Sequence, residues 1–323
     1  MLSFEEARRK VITVVSALPL PRAQESIALN DALSRVLGEE IVADRDYPPF
    51  DRSTRDGYAV RAEEAFSGDV LTLVGEIHAG QSFDKEILPG ECVQIMTGAA
   101  VPAGADAVVM IEYTKSVQKC GVTTIAFERN AEPGQNIVRR GTEAKAGQLL
   151  LRSGGRLGFA ELAICGQVGR TKLHAFRKPR LAILSTGDEV VAVDAPPGPR
   201  QIRNGNSVSL AAQVQLAGGE PVLLGNARDE RDELRRKIEE GLRCDALVTS
   251  GGVSAGKYDL VEDVLKESGA EIQFERVEIR PGRPAVFATC QGKPVFGLPG
   301  NPVSTMVTFE LFVLPALDLL SGA

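Results

Sequence analysis

The stretch RLAILSTGDEV, Arg180 to Val190, decides how this chain is read: a short aliphatic run ends abruptly in Ser-Thr-Gly. An apolar run of that length closed by glycine reads as a buried strand entering a tight turn. The same grammar then repeats. SVSLAAQVQLAGG (207–219) reads as a helix ending in glycine, EPVLLGNARD (220–229) as a strand, and ERDELRRKIEEGLR (230–243) as a helix with Asp229 available as its cap. DALVTSGG is a strand and YDLVEDVLKESG a helix. EIQFERVEI, PAVFATC and PVFGLPG are further strands, and VSTMVTFELFVLPALDLL closes as a mostly apolar helix. Strands alternating with helices imply a parallel sheet covered on both faces, so residues 178–323 are expected to form a doubly wound α/β domain.

In such sheets the ligand crevice lies beyond the carboxyl ends of the strands. The loops STGDE, TSGGVSAGKYD and LPGNPVS all follow strands and are expected to open onto one edge. Their glycines let backbone amides approach a ligand closely, and helix N-termini there favour anions. SGGVSAGKYDL (250–260) nearly spells a phosphate-binding P-loop, with Gly251, Gly256 and Lys257 in place. Tyr258, however, stands where a Ser or Thr hydroxyl must hold Mg²⁺. The groups left to hold a phosphate are the amides of Gly251, Gly252 and Ser254 and the hydroxyls of Ser250 and Ser254. Asp259 would supply the hard oxygen that Mg²⁺ prefers. Asp188 and Glu189 add carboxylates at a neighbouring strand end, which is also an ordinary place for acids that complement a helix dipole. Arg280 and Arg283, in IRPGRP, flank a Pro-Gly turn and offer multi-donor recognition of phosphate or another tetrahedral oxyanion.

Upstream, Phe4, Ala7, Val11, Val14 and Leu18 line one helical face behind a Ser3–Glu6 capping box, and LNDALSRVLGEE (29–40) reads as a shorter helix. DRDYPPFDRSTRDGYAV breaks that periodicity, and from Tyr58 to about Arg139 short apolar runs alternate with HAG, LPG and PAG turns. The expected organisation is a linker domain from residues 1–48 and 140–177, with a β-rich domain, 49–139, inserted into it. Asp51, Asp56 and Glu143 flank the insert. Asp56 before Gly57 reads equally well as turn chemistry.

With 43% hydrophobic and 25% charged residues the composition is that of a soluble globular protein. A net charge of −6 supplies no basic field for nucleic acid or an anionic membrane, so an anionic ligand must be caught locally. The five cysteines lack C-x-x-C spacing, which argues against zinc, iron–sulfur and disulfide frameworks. Two histidines, His78 and His174, lie far from any candidate nucleophile, so the chemistry must lean on carboxylates, amides, hydroxyls and cations. No cleavable leader and no apolar run near the length of a membrane span is read, and a cytoplasmic location is expected.

Seven motifs between residues 51 and 304 then acquire a common meaning: DRSTRDGYAV, IMTGAAVPAGADAVVMIE, NIVRRGTEAKAG, STGDEV, TSGGVSAGKYD, RPGRPAVF and GLPGNPVS. In this order they resemble the molybdopterin molybdenumtransferases, which are related to the C-terminal domain of gephyrin. The resemblance implies an elongated homodimer with a linker domain, an inserted β domain and a molybdopterin-binding α/β domain. It implies the reaction as well: adenylylated molybdopterin is cleaved, molybdate is joined to the dithiolene, and AMP leaves with Mg²⁺ assisting. Matched motif by motif, Asp56, Glu143, Glu189 and Asp259 become catalytic, Glu189 and Asp259 also holding the metal. Thr97, Gly98, Thr186, Gly187, Asp188, Asn206, Ser250, Gly251, Gly252, Ser254, Arg280 and Arg283 become substrate-binding, with Pro299, Gly300, Asn301 and Pro302 lining the pterin site. Asp56 and Glu143 are expected to face the α/β edge of the partner subunit. A molybdopterin adenylyltransferase and molybdoenzymes are the expected partners.

The chain departs from the family where Arg280 and Arg283 replace lysines, where Glu143 replaces an aspartate, and where Lys257 stands in a frequently acidic position. Relatives also continue into a further β-rich domain, whereas this sequence ends at LDLLSGA. A binding or scaffold protein that keeps pterin without turnover is the alternative reading. An unrelated P-loop NTPase is opposed by Tyr258.

Overall fold

Ser3 starts the first helix with the expected capping box: its hydroxyl accepts from the Glu6 N–H at 3.2 Å, and the Glu6 carboxylate accepts from the Ser3 N–H at 2.8 Å. The helix, α1, spans Phe4–Ala17, and Ala7, Val11 and Val15 form its buried stripe. This computed structural model describes residues 1–19, 23–252 and 260–323. It divides into two compact units, one of Met1–Glu40 with Leu151–Ala323 and one of Ile41–Leu150.

The unit of Ile41–Leu150 contains a six-stranded sheet of β1 (Gly57–Val60), β2 (Val70–Ile77), β3 (Glu91–Ile95), β4 (Ala107–Met110), β5 (Thr114–Lys119) and β6 (Val122–Phe127). The strand order is β4-β1-β3-β2-β6-β5, antiparallel except for β2 against β3. Side chains alternate between two cores along β1, with Tyr58 and Val60 in one and Ala59 in the other.

The helix expected within 29–40 does not form. Only a 3₁₀ turn, Leu29–Asp31, is present. Ser34 takes φ 64°, and Val36 and Leu37 bridge to Arg156 and Ala175, so their backbone groups serve long-range pairing that a helix would forfeit.

In the other unit, α2 spans Phe159–Gln167. A second six-stranded sheet consists of β7 (Arg180–Thr186), β8 (Glu220–Ala227), β9 (Ala246–Ser250), β10 (Glu271–Phe274), β11 (Val286–Cys290) and β12 (Lys293–Leu298), in the order β8-β7-β9-β12-β11-β10. The sheet is mixed rather than wholly parallel. β8, β7, β9 and β12 are parallel, whereas β11 runs antiparallel to both its neighbours, β12 and β10. The reason lies between Cys290 and Lys293, where Gln291 and Gly292 both take positive φ (51° and 72°). A two-residue connection of that kind permits only a hairpin.

Helix α3 (Gly205–Leu216), α1 and the C-terminal helix cover one face of this sheet, burying Leu210, Val214, Phe309, Phe312 and Leu317 against Ile183, Val248 and Phe296. On the other face, α4 (Arg231–Gly241) and α5 (Leu260–Glu267) bury Leu234, Ile238, Val261 and Val264 against Ala182, Leu184 and Leu247. The first helix, expected in a linker, thus shares the sheet's core.

The C-terminal helix runs through α6 (Pro302–Thr308), a π turn (Phe309–Val313) and α7 (Leu314–Leu320). Pro315 has no N–H to offer the preceding turn, where the ladder widens. Against the expectation of no such run, these 19 residues are long and apolar enough to cross a membrane by length and composition. Their apolar side packs into the sheet core.

The amino ends of β7 and β9 are clamped by charge. Asp245 accepts from Arg177 Nη1 and Nη2 at 2.7 and 2.6 Å and from the Arg180 N–H at 2.7 Å. Burial alone would raise the Asp245 carboxyl, but the Arg177 and Arg180 hydrogen bonds outweigh it and hold the group below the usual aspartate range. Its contribution is therefore complete above the ordinary aspartate pKa and fades as pH falls through the depressed folded-state value. Asp245→Ala is expected to destabilise the protein by about 2 kcal/mol at neutral pH. In urea titrations the gap between variant and parent should narrow below about pH 4. A gap that is constant with pH would show that the charge is not responsible.

Candidate functional site

The carboxyl ends of β7, β9 and β12 finish level, with Ser185 paired to Ser250 and Ser250 to Leu298. The three loops leaving them surround a cavity of about 760 Å³. Of the residues singled out in the sequence, Thr186, Gly187, Glu189, Asn206, Ser250, Gly251, Gly252, Pro299, Gly300, Asn301 and Pro302 line it. Ser254 and Asp259 lie outside the described residues.

Asn206 ties this cavity together. Its Nδ2 donates to Ser250 Oγ at 2.8 Å, to the Gly300 carbonyl at 2.9 Å and to Thr305 Oγ1 at 3.4 Å, joining α3 to the loops after β9 and β12. Thr305 Oγ1 in turn donates to the Pro299 carbonyl at 2.5 Å. Two helix N-termini reach the same wall. Asn204 caps α3, accepting from Ser207 N–H at 3.1 Å and from Ser185 Oγ at 3.0 Å, and Asn301 caps α6 through Val303 and Ser304. Such ends present N–H groups and positive partial charge to an anion.

Asp229 corrects an expectation. The N-cap of α4 is Glu230, without a side-chain cap bond, and Asp229 lines the cavity instead. Its N–H donates to Asp188 Oδ1 at 3.3 Å. Burial, then the Asp188 and Glu189 charges, raise the Asp229 carboxyl, and no cation acts the other way. Asp188 itself is exposed and does not line the cavity. Asn204, Arg203 and Ser304 also line the cavity, and the sequence reading gave them no role. The Asn204 cap was legible as an Asn before a helix, but the helix start was set two residues late.

Among the described residues no group of three His, Cys, Asp or Glu is placed to hold a metal. Glu189 and Asp229 nonetheless offer hard carboxylate oxygens at the cavity. Two carboxylates do not make a metal site by themselves, and a divalent ion here would need its further ligands from phosphate or water.

Arg280 and Arg283 are exposed and do not line the cavity, although the adjoining Pro284 does. Gly282 between them, at φ 101°, packs where a Cβ would stand 2.5 Å from Thr308 Cγ2, so the turn is seated closely on α6.

Within the unit of Ile41–Leu150, Asp56 and Thr97 form one constellation. Asp56 Oδ1 accepts from both Thr97 Oγ1 and the Thr97 N–H at 2.7 Å, and the neighbouring Gly98 N–H donates to the Ser53 carbonyl at 2.8 Å. Glu143 is engaged by Arg52 at 2.6 Å. Asp51 accepts from Arg139 Nη1 at 2.6 Å and the Arg140 N–H at 2.8 Å, which fastens the 51–56 segment to the one that carries Glu143.

Comparison with known proteins identifies the family. Residues 2–169 match the family described as MoeA N-terminal region (domain I and II), and residues 182–319 match the probable molybdopterin binding domain. The molybdopterin molybdenumtransferase of Bacillus subtilis (strain 168) is 39% identical over 300 residues, covering 91% of this chain and 70% of that protein. The molybdopterin molybdenumtransferase of Haemophilus influenzae is 35% identical over 323 residues, covering 100% of this chain and 78% of that one. The crystal structure of molybdopterin biosynthesis moeA protein from Pyrococcus horikoshii OT3 has a TM-score of 0.81 at 31% identity, covering 100% of this chain and 80% of that chain.

The Thr97 hydroxyl, followed by the Thr97 amide, holds the Asp56 carboxyl below the usual aspartate range. In Thr97→Val the hydroxyl is lost and the amide kept, so the Asp56 pKa is expected to rise partway toward its ordinary value in a carboxyl ¹³C NMR titration. An unmoved titration would mean that the hydroxyl does not hold the charge.

Proposed function

The chain belongs to the molybdopterin molybdenumtransferases, a family of molybdenum cofactor biosynthesis, and we propose that it joins molybdate to adenylylated molybdopterin and releases AMP with Mg²⁺. One observation carries the reading: three motifs far apart in sequence, STGDE, SGG and LPGNP, each contribute residues to a single cavity at the carboxyl edge of the sheet.

Cleaving a phosphoanhydride calls for positioning and charge neutralisation more than for a covalent nucleophile. The α3 and α6 N-termini and the amides around Gly251 and Gly252 would grip phosphate oxygens. Glu189, with Asp259, would hold Mg²⁺, which when bound offsets charge on the phosphoanhydride. Arg280 and Arg283 carry guanidiniums suited to the tetrahedral molybdate. Asp56 and Glu143 are assigned to turnover and Thr97 to substrate binding, and the working form is taken to be a homodimer. Molybdopterin adenylyltransferase is the supplier this chemistry requires, and molybdoenzymes are the recipients.

The deciding experiment is AMP release from adenylylated molybdopterin with Mg²⁺, with and without molybdate, in parent and Asp259→Ala protein. Molybdate-dependent release is expected in the parent, with a loss of at least about 100-fold in the variant. Tight binding of the nucleotide without release would favour the scaffold reading. Light scattering is expected to give twice the chain mass of 34.5 kDa. A monomer at micromolar concentration would remove the dimer from the proposal.

A further inference from the structure

Gly187, Asp188, Glu189 and Val190 form a tight turn at the end of β7, closed by the Val190 N–H donating to the Gly187 carbonyl at 3.2 Å. Asp188 and Glu189 are its two corners. Gly187 takes φ 126°, and a Cβ on it would stand 2.5 Å from Glu189 Oε2, so the Glu189 carboxylate lies against the residue that opens the turn.

A single side chain grips both ends of this turn. Asn226, on β8, donates from Nδ2 to the Gly187 carbonyl at 2.9 Å and to the Val190 carbonyl at 3.1 Å. With two carbonyl oxygens in front of it, the amide can present only its NH₂ there. Its Oδ1 is left buried without a hydrogen-bond partner among the described residues, a cost to the fold. The strand is also deformed where it brings Asn226 to the turn. Leu223 pairs with Ile183 and Asn226 with Ser185, so β8 holds one residue more than β7 over this interval, and Gly225 takes φ 79°. Such a bulge re-aims the side chain that follows it. Asn226 does not line the cavity, whereas Gly187, Glu189 and Val190 do.

We infer that Asn226 is a positioning residue: by holding the two ends of the turn it sets where the Glu189 carboxylate stands, and it acts on the reaction only through that carboxylate. The inference rests on the transferase reading, in which Glu189 serves the reaction, and adds to it a residue outside the cavity. A donor that merely braced the fold would behave differently, because its loss would cost the same whatever side chain stands at position 189.

The test is a double-mutant cycle between Asn226 and Glu189. Asn226→Leu keeps the branched shape and removes the donor, and Asn226→Asp keeps the shape and turns an oxygen toward both carbonyls. Each is made alone and with Glu189→Gln. Molybdate-dependent AMP release from adenylylated molybdopterin is measured in single turnover with Mg²⁺, and amide hydrogen exchange is followed in the free proteins. Each Asn226 variant is expected to slow release about tenfold or more by itself. Where Glu189 is already Gln, the further slowing should be less than about twofold. In the free Asn226 variants the Val190 amide is expected to exchange about tenfold faster, with the β7–β9 ladder exchanging as in the parent. Equal slowing in both backgrounds would overturn the inference by showing that Asn226 does not act through the Glu189 carboxylate. Unchanged release in both Asn226 variants, or parental exchange at Val190, would overturn it as well. If Asn226→Leu does not fold, Asn226→Asp decides by the same two readings. A parent without molybdate-dependent release would instead overturn the transferase reading, and exchange at Val190 would still judge the grip on the turn.

Discussion

Three parallel strands that end level impose the constraint on which this site depends. Ser185, Ser250 and Leu298 stand in register, so the chain leaving β7, β9 and β12 must turn away from one edge at one height. Beyond that edge the backbone has no ladder partner, and each loop must satisfy itself or present its amides to a ligand. Glycine makes the sharp departure tolerable at Gly251, where a Cβ would come within 2.8 Å of the Thr186 carbonyl. The close approach that excludes side chains there also exposes amides to the cavity. Asn206 then fixes the loops to α3, so the shape of the cavity follows from strand register and one side-chain amide.

A different logic governs the unit of Ile41–Leu150. Its candidate residues sit on segments some ninety positions apart, joined by a two-residue antiparallel pair, Arg52–Ser53 with Ile137–Val138. So short a pairing cannot alone set the positions of Asp56 and Glu143. The ion pairs Asp51–Arg139 and Arg52–Glu143 span the same two segments. Exposed pairs of this kind contribute only about 0–1 kcal/mol each, so they matter more for orientation than for stability. Asp51 differs in that it also accepts a backbone N–H, which anchors the Arg140 main chain itself. Asp56 is held the same way, by the Thr97 amide as well as its hydroxyl. Both acids that begin this segment are thus fixed to backbone.

The α/β layer was legible because its signals are local. RLAILST and DALVTS are too short for helices and too apolar for loops, and both are strands. What escaped depended on distant partners. The segment LNDALSRVLGEE has helical periodicity, but Val36 and Leu37 pair with residues more than a hundred positions away. No local propensity reports that competition. Asp229 was misread for a related reason. An aspartate before a helix is normally a cap, and only the fold brings Asp188 and Glu189 close enough to turn it into part of an acidic wall. The antiparallel β11 and β12 were recoverable, since Gln-Gly between two apolar runs is a hairpin signal. The cavity motifs were readable because glycine, asparagine and proline leave a mark at a strand end whatever the rest of the chain does.

The cavity combines a rigid wall with unspent groups, and these two properties depend on each other. If every polar group at the strand ends were paired internally, the cavity would be stable and inert. If few were paired, the loops would have no fixed geometry to offer a ligand. Here Asn206 and Thr305 spend their donors on Ser250, Gly300 and Pro299, which fixes the side built from α3 and α6. Across the sheet, Thr186 Oγ1 finds no partner among the described residues, and the Asp229 carboxyl lies near the charges of Asp188 and Glu189. Burial, then the two neighbouring charges, raise the Asp229 carboxyl, and an unpaired buried hydroxyl costs about 1–3 kcal/mol. A marginally stable domain retains such costs when something outside the chain relieves them. The proposed phosphate with its divalent cation would relieve both: its oxygens would accept what the donors offer, and its metal would answer the acids.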